Sequence, residues 1–488
     1  MAALLYDRPV SEYEYRQRVR RHRPSSLLPL LAAAAARYGG PERPHSWLDS
    51  PYRKYTPWAL AGAARVCLAY GTEYNRSEAT EQDLLEILTA YANLKDPTLH
   101  GDDDDAVRLR DFMMRISGEQ MAWQSPEYVS LARTAALYLH TPFPSHRQPR
   151  WMTAGWDTEV FGCSLTDYVG TAQLLWTSAL HSAGRFDPAI YDSPDGPRFD
   201  RVISRETAVS IIDRHFATDV AAFKEAENRS VDGLAQIAGA KADQLRRFTY
   251  NPLQGQPALT GFGPGLLCPS PQLVWRKVTP AGIYYTGLEH FGNEFPVETG
   301  YLFEEYIGRQ LRLIQDAHVV GEITYTVKRN QKQSVDWTVV FEDLVLLVEV
   351  KSTMPTQNAR LGLLRGVEET ERKLGRAYQQ INNTSAQIDE RHPAFADIPA
   401  DRLRQALIVT FEPFPVANAN LPRLNLPTPD IPTTVASAQE IERLVTLADI
   451  PPDEMLRSRA ADPERFTWAL TECFAGYESN RNPILDAG

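Results

Sequence analysis

The stretch SVDWTVVFEDLVLLVEVKS, Ser334–Ser352, leaves few folds open to this chain. Two runs rich in Val, Leu, Phe and Trp flank the polar pair Glu342-Asp343, the pattern of two β-strands joined by a tight turn. If the hairpin is symmetric about that pair, Phe341 faces Leu344, Asp336 faces Glu349 and Ser334 faces Lys351. Side chains alternate between the two faces of a strand, so Asp336, Glu349 and Lys351 share one face. The other face then holds Val335, Trp337 and Val339 against Val350, Val348 and Leu346, all apolar, on a sheet buried on that side. Directly opposed residues have Cβ atoms roughly 4.5–5.5 Å apart, and like charges there destabilise the strand pair. A divalent cation held by both carboxylates removes that conflict, and hard oxygen ligands suit magnesium. Lys351 beside them can hold or activate a water and steady charge on a phosphate.

The surroundings fit one architecture. VWRKVTPAGIYYTGL reads as one or two short strands. Glu298–Gln315 reads as an amphipathic helix with Leu302, Phe303, Ile307 and Leu311 on one side. Extended segments follow at Glu322–Val327, Val335–Phe341 and Leu344–Val350. A long polar helix is expected over Leu361–Gln387, a buried strand over Ala406–Phe414 and a helix over Ala436–Leu447. Helix, three strands, helix, strand, helix is an α/β order with helices on both sides of a mixed sheet.

Asp336 on one strand and Glu349-Val350-Lys351 on the next resemble the PD-(D/E)XK nuclease superfamily, over roughly Glu298–Leu447. Val335 stands where the family pattern has Pro, a position at which the family often varies. The resemblance implies a restriction-endonuclease-like fold and a metal-dependent phosphodiesterase site, with Mg²⁺ as cofactor and Mn²⁺ as substitute. An upstream helix acid maps onto Glu304 in GYLFEEYIG, with Glu305 as the second reading. A downstream helix glutamine maps onto Gln380 in AYQQI, or onto Gln379. The implied catalytic set is Asp336, Glu349, Lys351, Glu304 and Gln380, with Asp336, Glu349 and Glu304 as metal ligands. The competing reading is a partly solvated sheet edge in which Lys351 neutralises Glu349 as a surface ion pair, worth about 0–1 kcal/mol.

The first 250 residues read as an all-α domain of unassigned role. Helical spacing recurs in Trp58–Tyr70, Asp83–Leu94, Tyr128–Leu139, Leu165–Leu180 and Ala208–Phe223, and the apolar, Ala-rich Leu27–Tyr38 reads as a buried helix. The Pro- and Gly-rich stretch Asn251–Gln272 marks the main break. The expected division is a helical domain at 1–250, a connector at 251–280 and a nuclease-like domain at 281–488, an α+β multidomain chain. Four scattered cysteines form no CxxC pair, which argues against zinc sites and disulfides and fits a reducing cytoplasm. No apolar run approaches the ~20 residues of a membrane helix, and MAALLYDRPV is too short and too soon charged for a signal peptide.

With a net charge of -11, a nucleic-acid partner has to meet a local basic patch. Candidates are Arg309, Arg312, Lys328, Arg329, Lys332, Arg360, Arg365, Arg372, Lys373 and Arg376. Glu371-Arg372-Lys373 repeats the Glu-x-Lys pattern in a polar helix and reads as a solvated face. Asp102–Asp105 reads as a turn capping a helix, Trp47–Trp58 as a core edge, and the Arg-rich Arg16–Arg23 as a solvated helix. No GxxxxGK[ST], HExxH or GxSxG segment is present. The resemblance implies a metal-dependent nuclease, expected on DNA in preference to RNA, of the kind found in restriction and anti-phage defence. The helical half would serve as sensor, recognition module or docking surface for a protein partner or activator, and oligomers are compatible with it. The alternative is a catalytically inactive nuclease-fold module that binds nucleic acid or protein.

Overall fold

The structure, a computed structural model, describes residues 9–38, 51–74, 77–97, 104–120, 123, 127–352, 354, 356–414, 417–418 and 429–487. Residues 47–50 of the Trp47–Trp58 segment, and Asp102 and Asp103, lie outside them. The chain forms two compact units. The first comprises Met1–Leu99, Trp123–Leu131 and Ala154–Thr286, and the second comprises His100–Ala122, Ala132–Thr153 and Gly287–Gly488. The division thus falls after Thr286, not in the 251–280 stretch, and two segments of the amino-terminal half belong to the second unit.

In the first unit, helices at Pro24–Tyr38, Pro57–Tyr70 and Glu81–Ala92 bury Leu27, Leu31, Leu60, Leu68, Ile87 and Leu88 in one core. Thr56 and Thr80 cap two of these helices through their hydroxyls. The unit is not all-α. Four two-residue strands form a small mixed sheet, and two of them, Ala258–Leu259 and Leu266–Leu267, come from the expected connector. That stretch stays with this unit because Leu253, Leu259 and Leu267 are buried in its core. Ala208–Phe223 is not one helix either. The helix Arg205–His215 ends, Ala217–Thr218 pairs with Ala258–Leu259, and Asp219 caps a new helix over Val220–Ala238. The expected strands in VWRKVTPAGIYYTGL are helices, Pro271–Lys277 and Pro280–Phe291, each opened by a proline in its first turn, where the missing N–H costs nothing.

The second unit carries a mixed five-stranded sheet. The elements that build the sheet or adjoin it in sequence include helix α1 (Glu294–Leu311), strands β1 (His318–Gly321), β2 (Thr324–Val327), β3 (Asn330–Gln333), β4 (Trp337–Val340) and β5 (Leu344–Lys351), helix α2 (Leu364–Asp389), strands β6 (Leu403–Thr410) and β7 (Thr433–Ser437), and helix α3 (Ala438–Leu444). The sheet order is β7-β6-β5-β4-β1. β5, β6 and β7 run parallel to one another, whereas β4 is antiparallel to both β5 and β1. Glu322–Val327, expected as a sheet strand, contributes instead to a separate hairpin of β2 with β3. Lys328 takes positive φ at its two-residue turn.

Both faces of the sheet are covered. Val345, Leu347, Ala406 and Ile408 pack with Leu374, Ala377, Tyr378 and Ile381 of α2. On the opposite face, Trp337 lies against α1. A Cβ added to Gly308 of α1 would stand 2.2 Å from the indole ring, so only glycine permits this approach. Near the other end of the contact, Gly300 of α1 lies beside Ser352, just past the end of β5.

Candidate active site

The β4–β5 hairpin pairs Trp337 with Val348, Thr338 with Leu347, Val339 with Leu346 and Val340 with Val345. The Phe341 amide donates to the Leu344 carbonyl at 2.8 Å across the two-residue Glu342-Asp343 turn. This register carries Asp336 to the position opposite Glu349. The chain bends at Asp336, so Val335 does not join Trp337. It packs with Val345, Leu347 and the apolar face of α2. Asp336 occupies the point where the β4 backbone leaves the ladder, and its Oδ2 accepts the Val350 amide at 2.6 Å.

Glu349 is 0% exposed and Asp336 9%. A surface ion pair at an open sheet edge is thereby ruled out for Glu349. Lys351 Nζ donates to Glu349 Oε1, which keeps the two side chains on the same side of β5. Among the described residues, Glu349 Oε2 is buried and has no hydrogen-bond partner. Burial raises the pKa of Glu349, and the neighbouring Asp336 raises it further while Lys351 pulls it down. Burial also raises Asp336 against the pull of Lys351 and of the Val350 amide. For Lys351, burial works to lower the pKa, but Glu349 and Asp336 outweigh it and hold the ammonium charged.

Glu304 of α1 belongs to the same electrostatic neighbourhood. Burial pushes it up to about 8, Asp336 and Glu322 add to the push, and Arg147 and Lys351 oppose it. Trp337 Nε1 donates to the Glu304 carbonyl at 2.9 Å, fixing that turn of α1 against β4. Glu305 is turned to Arg312, at 3.0 Å. Gln380 of α2 is turned to the backbone that precedes Asp336. Its Nε2 donates to the Ser334 carbonyl at 2.7 Å, and Thr384 Oγ1 accepts the Val335 amide at 3.1 Å. The two side chains brace the backbone that delivers Asp336. Gln379 is exposed.

The basic residues divide. Arg309 donates to the His140 carbonyl and to Thr141 Oγ1, and Arg312 stacks over Trp337 as well as pairing with Glu305. Both are occupied by the fold. Lys328, Arg329, Lys332, Arg365, Arg372 and Arg376 are exposed. Lys373 pairs with Glu369 one helical turn away, at 3.2 Å, as a solvated helix face does. At the Asp102–Asp105 run, Asp104 caps the helix that begins at Asp105. Two neighbours of the site carried no motif: Glu322, whose pKa burial raises, and Arg147, which lies far from the hairpin in sequence.

The carboxylate pair suits a hard cation on two grounds. Among the described residues, a buried carboxylate oxygen lacks a partner that an ion would supply, and two desolvated acids side by side have one lysine as counter-charge. Among the described residues, no three or more His, Cys, Asp and Glu side chains converge as a metal-holding group. Asp336 and Glu349 are the residues that would hold such an ion, since magnesium commonly takes one or two carboxylates while keeping several waters. No helix among the described residues is long and apolar enough to cross a membrane. Comparison with protein-family models, curated proteins and solved structures gives no match.

Proposed function

We propose that the second unit is a PD-(D/E)XK-type, metal-dependent nuclease of restriction-endonuclease-like fold that hydrolyses phosphodiester bonds, in DNA by preference. The observation that carries this reading is the buried Asp336–Glu349 pair, with Lys351 held on one Glu349 oxygen and the other oxygen without a partner among the described residues. A purely structural pair of this kind would be costly, because two adjacent carboxylates are desolvated with a single lysine to offset them.

In this reading Asp336 and Glu349 hold Mg²⁺ or Mn²⁺. When bound, the ion supplies a water of lowered pKa and a Lewis acid for the scissile phosphate. Lys351 then has a second task besides pairing with Glu349. Its remaining N–H donors can orient the attacking water or steady charge on the phosphate oxygens. Glu304, held largely protonated at neutral pH, can donate a hydrogen bond or exchange a proton on the α1 side of the site. Gln380 and Thr384 keep Asp336 in place.

The test is a cleavage panel of single- and double-stranded DNA and RNA with Mg²⁺, Mn²⁺ or chelator, run on the wild type and on Glu349→Gln. Metal-dependent cleavage by the wild type alone supports the reading. If both proteins are equally inert on every substrate but bind nucleic acid, the fold serves as a binding module. Restriction or anti-phage defence is the setting that such an activity, beside a large helical unit, fits best.

A further inference from the structure

We propose that Arg147 is a positioning residue that takes a phosphate of the nucleic-acid backbone beside the Asp336–Glu349 pair, an inference that rests on the nuclease reading above. Arg147 lies on the loop 141–153, which belongs to the second unit and runs along α1. Two clamps hold that loop. At its start, Arg309 of α1 donates to the His140 carbonyl at 2.9 Å and to Thr141 Oγ1 at 2.8 Å. At its end, the buried carboxylate of Glu298 of α1 accepts three consecutive amides. Oε1 takes Arg150 at 2.6 Å, Oε2 takes Met152 at 2.7 Å, and Trp151 lies 3.1 Å from both oxygens. Trp151 also packs on Phe291. A loop fixed at both ends to the helix that carries Glu304 presents whatever side chain lies between the clamps to that end of the site.

That side chain is Arg147. Its guanidinium lies over the Tyr301 ring, 4.7 Å from the centroid, and Tyr301 is one helical turn before Glu304. Its charge is felt at both Glu304 and Glu322. Yet among the described residues the guanidinium makes no hydrogen bond and no ion pair, and the residue is exposed. Arginines that serve the fold here look different: Arg133 is forked onto Glu442, and Arg309 is spent on the loop itself. A guanidinium held flat by an aromatic ring keeps its N–H edge open. That edge matches two phosphate oxygens bidentately, and less of its freedom is lost on binding than a lysine loses. The acids around it exclude a loose anion, so the fitting ligand is a phosphate that arrives with its own cation at the carboxylate pair.

The test uses full-length protein carrying Glu349→Gln, which keeps substrate intact. Its binding to short fluorescein-labelled DNA, duplex and single-stranded, is followed by anisotropy over a series of salt concentrations with Mg²⁺ present. Adding Arg147→Ala is expected to weaken binding about tenfold and to lower the slope of log Kd against log salt by about 1, with no change in melting temperature. Arg147→Lys is expected to keep the slope and to recover affinity only in part. If Arg147→Ala leaves affinity and slope unchanged, this inference falls and the nuclease reading stands. If the Glu349→Gln protein binds neither DNA and the wild type cleaves no nucleic acid with Mg²⁺ or Mn²⁺, both fall together.

Discussion

Asp336 accepts the backbone amide of Val350 at 2.6 Å, standing in for the strand that ends beside it. One carboxylate therefore has two duties, closing the ladder and facing Glu349. Substitutions separate them. Asp336→Asn retains an oxygen for the Val350 amide and is expected to fold like the wild type while losing metal-dependent cleavage. Asp336→Ala leaves a buried N–H without a partner and is expected to cost about 1–3 kcal/mol as well. Urea denaturation of the two variants checks this, and equal stability of Asn and Ala variants would show that the hydrogen bond contributes nothing.

Lys351 and Glu349 are expected to be strongly non-additive. Lys351→Met removes the cation that offsets two buried acids and is expected to destabilise the metal-free protein by about 3–5 kcal/mol at pH 8. The loss shrinks at lower pH, because the acids then protonate instead. Adding Glu349→Gln removes one of the stranded charges and is expected to return a large part of that stability. A double-mutant cycle with no coupling energy would mean that the two side chains touch without consequence.

The raised carboxyls also set a pH dependence with a definite sign. Glu304 moves from a reference of 4.5 to about 8 on folding, and burial pushes Asp336 and Glu349 in the same direction. The native state thus holds more protons than the unfolded chain between those pH values. Stability is full below about pH 4.5 for these groups and is lost as the pH rises through about 8. In chelator, melting temperature is expected to fall from pH 5 to pH 8, with a shallower fall for Glu349→Gln. Mg²⁺ binding displaces those protons, so its affinity is expected to rise over the same interval. A wild-type melting temperature that climbs with pH in chelator would contradict the burial of these acids.

The hairpin was legible because its information is local. A two-residue turn and a period of two fix which residues oppose, and Asp336, Glu349 and Lys351 follow from counting. The faces were less legible. Alternation places Val335 with Trp337, but the bend at Asp336 sends Val335 to α2, and a bend imposed by tertiary bracing from Gln380 and Thr384 has no pattern in the sequence. The 251–280 stretch misled for a related reason. Pro and Gly announce turns, yet Leu253, Leu259 and Leu267 between them are core residues. Arg147 was invisible, since nothing in SHRQPR says that Glu298 and Arg309 will fasten it alongside α1.

Glu298 supplies a prediction that holds whatever the chemistry of the site. A carboxylate that accepts three consecutive amides uses its full negative charge on backbone dipoles, and it is 6% exposed. Charged hydrogen bonds of this kind are each worth more than neutral ones. Glu298→Ala is expected to cost about 2–4 kcal/mol, since the amides of residues 150–152 lose their acceptor. Glu298→Gln is expected to cost less, because one oxygen survives, but its NH₂ group then faces donors. Hydrogen exchange gives the sharper readout. The amides of Arg150, Trp151 and Met152 are expected to exchange faster in Glu298→Gln by more than the global loss of stability accounts for, while β4 and β5 stay protected. If those three amides exchange no faster relative to the rest, Glu298 does not hold the loop, and the placement of Arg147 beside Tyr301 has to come from elsewhere.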